Sequence, residues 1–268
     1  MIDMDYIRGF FPPAISEERR FDRYMLKEYL QMLILDHMTT TPYLQKVSFI
    51  GGTNLRLIQG IDRFSEDLDF DCKEMSEDEF RQMSDSVVRY LRQNNIDVET
   101  RDRPNPHLTA FRRNLYFPQM LFNLGLSGHR EERLLIKIEA QDQGVLYPTE
   151  VVNVNRMGFF FSIPVPPLDV LCAMKFSAVL ARQKGRDFYD TIFLLSKTQP
   201  NWEFLKERQG ISSPEELMEA VSKMLKELNL NQKKEDLTHL LFNRSRAERI
   251  LQFSEIVESS LTSPRASG

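Results

Sequence analysis

The sequence lacks the features that mark several large classes of protein. Its two cysteines, Cys72 and Cys172, have no CxxC spacing, so neither a disulfide framework nor a zinc site is indicated. No apolar run approaches the ~20 residues that a bilayer span needs, and the acidic start of the chain does not resemble a signal peptide. Free cysteines without a secretion signal favour a reducing compartment, so we expect a cytoplasmic protein.

Several catalytic signatures are also missing. The four histidines have no metal-ligand spacing and there is no G-x-S-x-G elbow, which argues against zinc and serine-triad hydrolysis. No Gly-Lys-Ser/Thr follows Gly60, so there is no Walker A loop, and the glycines are misplaced for a Rossmann fingerprint. The net charge of −4 provides no global basic field, so a polyanionic substrate would need local basic patches.

The most informative segment that is present combines a glycine turn with two carboxylates. Gly51, Gly52 and Thr53 follow the apolar run 47–50, and Asp69 and Asp71 alternate with apolar residues shortly afterwards. On a strand the two acids share one face, roughly 6–7 Å apart. Acids this close repel each other and usually need a cation. Paired oxygen ligands suit Mg²⁺, which also takes substrate phosphates, and glycine amides can cradle phosphates. This segment therefore predicts metal-dependent nucleotide chemistry.

A third carboxylate is a candidate for the same site. In the segment 134–140, Glu139 lies on the strand face opposite the apolar residues, so it can face the acid pair if the two strands are neighbours. It would then complete a two-metal cluster or act as general base. The alternative is a solvated edge-strand glutamate paired with Lys137.

The helical C-terminal half carries a second group of charged residues. Lys175 and Arg182 are seven residues apart, on one face of a helix, and Arg186 and Asp187 open the next helix. A lysine is a compact charge suited to a triphosphate oxygen, with Arg182 and Arg186 nearby. The alternative is that Asp187 only caps its helix.

Basic and aromatic residues also recur between positions 101 and 133, which suggests a local nucleic-acid track, although a solvated sheet face is the commoner explanation. The residues are Arg101, Arg103, Arg112, Arg113, His129, Arg130 and Arg133, with Phe111, Tyr116 and Phe117 interleaved.

The chain changes character after the proline-rich segment 164–167. We expect an α/β domain over 1–165 that carries the metal site, a helical domain over 166–262 and a disordered tail over 263–268. Ser16 is expected to cap a helix over 16–38, and Ser76 with Glu79 predicts a capping box. Strands are expected at 46–50, 67–72, 96–103, 108–117, 133–141 and 150–163, with turns at positions that include Pro104 and Pro106.

Three motifs together resemble the AbiEii/AbiGii nucleotidyltransferase toxins, which are related to the DNA-polymerase-β-like nucleotidyltransferases. They are Gly51-Gly52-Thr53-x-Leu55-Arg56, then Arg63-Phe64-Ser65-Glu66-Asp67-Leu68-Asp69-Phe70, and Arg186-Asp187-x-Tyr189-Asp190. The resemblance covers about residues 20–200. It implies an α+β fold, in which a mixed sheet with flanking helices is followed by a helical domain. It also implies Mg²⁺, with two ions expected, and a nucleoside triphosphate.

The resemblance assigns roles to individual positions. It places a phosphate-binding turn at Gly51, Gly52 and Thr53, where the wider superfamily often has serine in place of the threonine. It implies metal binding by Asp69 and Asp71, with Glu139 as third acid, and catalytic roles for Lys175 and Asp187. Arg56, Arg182 and Arg186 complete the expected nucleotide-binding set.

The function expected from these residues is transfer of a nucleoside monophosphate to an acceptor, the tRNA 3′ end, by the toxin of a toxin–antitoxin pair. Two alternatives remain. One is an antibiotic-modifying type of nucleotidyltransferase, which would need an acidic pocket for a cationic drug. The other is a catalytically idle member of the fold that binds RNA or a partner. We expect a cognate antitoxin as partner.

Overall fold

The computed structural model of the protein describes residues 2–101 and 110–262. The expected turns at Pro104 and Pro106, the basic Arg103 and the expected tail over 263–268 lie outside the described residues. No helix in the described ranges is long and apolar enough to cross a bilayer.

The chain forms two compact units. The first comprises Met1–Gly60, Phe64–Asp142 and Thr149–Val165, and the second comprises Ile61–Arg63, Gln143–Pro148 and Pro166–Gly268. Two short segments of the N-terminal half thus belong with the helical unit.

A five-stranded sheet forms the centre of the first unit. Its order is β1-β2-β5-β4-β3, and β2 runs parallel to β5 whereas the other neighbours are antiparallel. The strands are β1 (Val47–Ile50), β2 (Leu68–Cys72), β3 (Glu99–Thr100), β4 (Phe111–Phe117) and β5 (Leu134–Gln141). The expected α+β class with a mixed sheet is therefore confirmed.

The rest of the first unit consists of helices and one hairpin. The hairpin pairs β6 (Glu150–Arg156) with β7 (Phe159–Val165) in a separate two-stranded sheet. The helices are α1 (Met4–Arg8), α2 (Pro13–Ser16), α3 (Asp22–Thr39), α4 (Gly51–Leu57), α5 (Glu77–Gln93) and α6 (Met120–Asn123), with 3-10 turns at Arg19–Phe21 and Pro42–Lys46.

The start of α3 differs from the prediction. Ser16 ends the separate short helix α2, which begins at Pro13, because proline is well suited to a first helical position. The backbone is then extended at Glu18, and α3 begins only at Asp22. The capping box of Ser76 and Glu79 is observed at the start of α5.

The two faces of the sheet differ in polarity. Along β5 the apolar residues Leu134, Ile136, Ile138 and Ala140 are buried, and the residues between them are partly exposed. Arg113 is the cross-strand partner of Ile138 and contacts Ser84 and Asp85 of α5. Helix α5 therefore covers the apolar face, and the opposite face carries Lys137 and Glu139.

The second unit is helical. Its elements are α7 (Leu168–Arg182), α8 (Gly185–Leu195), α9 (Trp202–Gln209), α10 (Pro214–Leu225), α11 (Leu230–Thr238), a 3-10 segment at Arg244–Gln252 and α12 (Phe253–Thr262). Helix α11 was not expected from the sequence. The last part of this unit is divided between the 3-10 segment and α12.

Helix α8 begins where its backbone meets that of α11. A Cβ atom at Gly185 would lie 1.9 Å from the carbonyl oxygen of Lys233. Since the obstructing atom belongs to a backbone rather than to a flexible side chain, a larger residue can be accommodated only if one helix shifts.

We therefore expect Gly185→Ala to lower the free energy of unfolding by about 1–3 kcal/mol, the usual range for overpacking. Gly128→Ala is the matched control because nothing lies within 4 Å of the added Cβ atom. Urea denaturation followed by circular dichroism measures both. Equal stabilities for the two variants would show that the close approach of α8 and α11 is not a constraint.

Candidate functional site

The glycine turn lies directly against a carboxylate. Gly51 follows β1, has a φ of +78°, and is next to Ile50, the cross-strand partner of Asp69. A Cβ atom at position 51 would lie 2.2 Å from Oδ2 of Asp69. Both the left-handed backbone conformation and the space taken by Asp69 require glycine here.

Glu139 lies beside Asp69 in the sheet. The two residues are partners in the parallel ladder between β2 and β5, so their side chains emerge on the same face. Arg112 is the partner of Glu139 on β4, and its Nε is 2.7 Å from Oε1 of Glu139. The adjacency expected from the sequence is thus present, and binding of a metal by Glu139 stays a prediction.

The two predicted metal ligands on β2 have different environments. Asp69 is partly exposed, whereas the Asp71 side chain is fully buried and lies 3.4 Å from Nζ of Lys73. Asp67, one residue before β2, keeps 14% of its side chain exposed and is 3.5 Å from Nζ of Lys137. Asp67 was not predicted to be a ligand, although the alternation Asp67-Leu68-Asp69 indicates a shared face for the two acids.

The carboxylates near the glycine turn suit a hard cation that takes its remaining ligands from the substrate. No group of three His, Cys, Asp or Glu side chains converges to metal-binding distance within residues 2–101 and 110–262. Mg²⁺, however, is typically held by one or two carboxylates together with substrate phosphates. Asp69 and Asp67 are two such carboxylates, and Asp69 lies against the glycine turn at the start of α4.

Two other predicted nucleotide-binding side chains already have protein partners. The hydroxyl of Thr53 donates to the backbone carbonyl of Asp67, which joins α4 to the segment before β2. Arg56 is buried and its Nε donates to Oε2 of Glu28 at 2.8 Å, while Arg156 Nη2 donates to Oε1 of the same residue at 2.6 Å. Contact of Thr53 or Arg56 with a nucleotide stays a prediction.

Asp67 also lines an open pocket of about 380 Å³ in the first unit. The pocket is bordered by residues of α3, of the 3-10 turn before it, of the segment before β2, and of β5 and the residues that lead into it. Its charged side chains are Arg20, Arg23, Lys27, Glu66, Asp67, Glu132, Arg133 and Lys137.

The other predicted site residues lie in the second unit, where Lys175 is part of a buried ion triad. Its Nζ is 2.8 Å from Oδ2 of Asp190, which also accepts two hydrogen bonds of 2.7 Å from Arg63. Burial alone would raise the pKa of Asp190, but attraction by Arg63 and Lys175 outweighs it and lowers the pKa from 3.8 to about 2. A catalytic role of Lys175 stays a prediction.

Asp187 is fully buried at the start of α8. It accepts hydrogen bonds from Nε and Nη2 of Arg182, at 2.9 and 2.7 Å, and from the backbone N–H of Lys184 at 3.3 Å. These contacts are those of a capping residue, while Arg182 remains largely exposed and Arg186 partly exposed. The roles of Asp187, Arg182 and Arg186 toward a nucleotide stay predictions.

The basic residues considered as a nucleic-acid track do not share one surface. Arg112 pairs with Glu139 on the polar face of the sheet, whereas Arg113 contacts Asp85 on the face covered by α5. Phe117 is fully buried. The described residues of these strands therefore do not form a continuous basic track.

The mixed sheet and the glycine turn beside Asp69 are the features expected of a nucleotidyltransferase. A family model described as nucleotidyl transferase AbiEii toxin, type IV toxin–antitoxin system, matches residues 33–253, so the chain belongs to the AbiEii family. The family resemblance suggested by the sequence is confirmed, and the protein is a nucleotidyltransferase.

Solved structures agree with this fold. MenT4, a nucleotidyltransferase toxin from Mycobacterium tuberculosis, is 14% identical with a TM-score of 0.59, over 99% of this chain and 95% of that one. JHP933 from Helicobacter pylori is 18% identical with a TM-score of 0.52, over 89% of this chain and 93% of that one. At these identities the likeness concerns the fold alone. No curated protein matches the sequence.

The triad in the second unit leads to a stability prediction. Asp190→Asn leaves Arg63 and Lys175 buried without their carboxylate and should lower the free energy of unfolding by about 3–5 kcal/mol. Because the pKa of Asp190 is depressed, the ionised carboxylate contributes its full share to the free energy of unfolding above about pH 4. This contribution is lost as the pH falls toward 2. Wild-type stability should therefore decline over this range more steeply than that of the variant.

Asp62→Asn is the charge-matched control. Asp62 accepts a hydrogen bond from Tyr189 at 2.8 Å and keeps 23% of its side chain exposed, so its loss should cost about 1 kcal/mol. Urea titrations at pH 7, 4 and 3 measure all three proteins. If Asp190→Asn is no less stable than Asp62→Asn, the triad does not hold the helical unit together.

Proposed function

We propose that the protein transfers a nucleoside monophosphate from a nucleoside triphosphate to an RNA acceptor, the tRNA 3′ end, in the presence of Mg²⁺. The observation that carries this proposal is the contact of the Asp69 carboxylate with the Gly51 turn, with Glu139 beside it in the sheet. Backbone amides that would bind phosphate and oxygen ligands that would bind a cation are therefore proposed to lie side by side. In the reaction the acceptor hydroxyl oxygen bonds to the α-phosphorus, and pyrophosphate leaves with the bridging oxygen.

The carboxylates of the first unit would hold the cation. We assign this task to Asp69 and Asp67, because Asp71, the partner expected from the sequence, is sealed from solvent beside Lys73. Mg²⁺ bound there would offset the charge of the triphosphate and favour ionisation of the attacking hydroxyl. Glu139 would accept the hydroxyl proton, and Arg112, which pairs with it, would hold its carboxylate in position.

The charge of the pocket beside Asp67 is the basis for assigning the acceptor. A cationic antibiotic would require an acidic pocket, whereas the pocket beside Asp67 contains more cationic than acidic side chains. An anionic acceptor is therefore favoured, and the family's toxins belong to type IV toxin–antitoxin systems. We propose that the protein acts in the cytoplasm on tRNA and that a cognate antitoxin counteracts it.

The assignment of the acid pair leads to a mutational prediction. Asp69→Asn and Asp67→Asn should each reduce nucleotide transfer about a thousandfold, since a bound metal stabilises the transition state by several kcal/mol. Asp71→Asn should lower the melting temperature but leave transfer by the folded enzyme close to wild type. Transfer is measured with each α-labelled nucleoside triphosphate and total RNA, and folding by circular dichroism.

Asp85→Asn is the control, because Asp85 is on α5, on the other face of the sheet, and pairs with Arg113. Full transfer by Asp69→Asn would contradict the mechanism. A loss of transfer in Asp71→Asn together with an unaffected Asp67→Asn would restore the pair expected from the sequence. Label found in protein or small molecules, with RNA unlabelled, would contradict the RNA acceptor.

Ligand binding without turnover provides a separate prediction. We expect Mg²⁺ with the preferred nucleoside triphosphate to raise the melting temperature, because a ligand bound only to the folded state stabilises it. The shift should fall sharply with EDTA and in Asp69→Asn. A shift of equal size in EDTA would show that the nucleotide binds without a metal.

A further inference from the structure

The two flanks of strand β2 offer different binding surfaces. On the β1 side, the Gly51 turn lies against Asp69. On the β5 side, Asp67 faces Lys137 and opens into the pocket of about 380 Å³. Since the proposed triphosphate site occupies the first flank, the pocket on the second flank is available to the other substrate of the transfer.

The pocket is cationic in a protein whose net charge is −4. Five basic side chains face three carboxylates, so positive charge is in excess. We call the pocket that these five side chains line the basic pocket, and they are Arg20, Arg23, Lys27, Arg133 and Lys137. Such a surface attracts phosphate groups, which is how proteins hold a nucleic-acid backbone.

Three of these cations have incomplete or long protein contacts, whereas Arg133 pairs with Glu99 at 2.9 Å and Arg23 pairs with Glu132. Nη1 of Arg20 is buried and makes no hydrogen bond to the described part of the chain. Lys27 lies 3.3 Å from Glu66 and Lys137 lies 3.5 Å from Asp67, which are long contacts for charged pairs. A buried donor without an acceptor costs free energy that a phosphate oxygen would recover.

The same pocket includes an aromatic ring. Tyr24 lines the basic pocket and stacks on Phe64 with 5.4 Å between ring centroids. Proteins that bind single strands commonly combine a cationic groove with aromatic side chains. The volume of the basic pocket, about 380 Å³, lies in the range of small-ligand sites, so the pocket suits an unpaired nucleotide rather than a duplex.

We propose that the basic pocket binds the sugar–phosphate backbone of the acceptor, as a single strand next to its reacting 3′ end. This inference rests on the proposed function and adds the place where the acceptor is held. Arg20 would contact a phosphate, and Arg133 would exchange its contact with Glu99 for another. Because Asp67 lines the pocket, the reacting end of such a strand would lie close to the proposed cation ligands.

The test uses the full-length protein and a 5′-fluorescein RNA of about a dozen nucleotides with a free 3′ hydroxyl, within the usual site size of such proteins. Fluorescence anisotropy in EDTA gives the affinity without turnover, at several salt concentrations. The variants are Arg20→Ala, Arg133→Ala and their combination. Arg20→Lys keeps the charge, and Arg81→Ala removes an exposed arginine of α5 that pairs with Asp78.

The double variant should bind the RNA about tenfold or more weakly, and the slope of log affinity against log salt should fall by about one for each lost phosphate contact. Arg20→Lys and Arg81→Ala should stay close to wild type. The melting shift with Mg²⁺ and nucleoside triphosphate should be unchanged in all variants.

Two results would overturn the assignment. If the double variant binds RNA as tightly as wild type, the acceptor is held elsewhere. If it loses the triphosphate shift and keeps its RNA affinity, the basic pocket belongs to the triphosphate. Neither result affects the proposed function, which fails only if wild-type protein transfers nucleotide to no RNA.

Discussion

The close approach of the Asp69 carboxylate to the backbone of Gly51 is the constraint on which the candidate site depends. It requires a residue without a side chain, in a left-handed conformation, at the end of β1. It also requires β1 and β2 to pair in one register, with Ile50 opposite Asp69. The parallel register of β2 and β5 then places Glu139 beside the same carboxylate. One local contact thus links a turn, two strand registers and two carboxylates.

Alternating polarity was sufficient to predict the sheet but not the environment of each acid. The face of Glu139 and the capping box of α5 follow from spacing alone, and both are present. The same alternation cannot tell that Asp71 is enclosed and that Asp67 reaches a pocket, because side-chain burial is decided by neighbours distant in sequence. Arg56 likewise looked like a ligand residue, and its partner Glu28 could not be inferred from local pattern.

The helical unit shows where periodicity stops being informative. Helix α11 is polar along most of its length and Leu237 is its one buried residue, so no apolar stripe marked it in the sequence. Its start is set instead by Asn229, whose side chain accepts a hydrogen bond from the backbone of Gln232. Lys175 was singled out for its charge, but its partner Asp190 is shared with Arg63, which lies 127 residues before Asp190 in the chain.

That separation has a consequence for synthesis on the ribosome. Arg63 emerges long before Asp190, and the folded protein buries its guanidinium completely. Until the segment with Asp190 has been translated, burial of the arginine would leave its charge unpaired, which is strongly unfavourable. The guanidinium therefore stays hydrated, and its segment cannot pack into the helical core. The segment 61–63 therefore cannot take its final place before Asp190 has been translated, and a chain released before position 190 lacks the counter-charge that its own arginine needs.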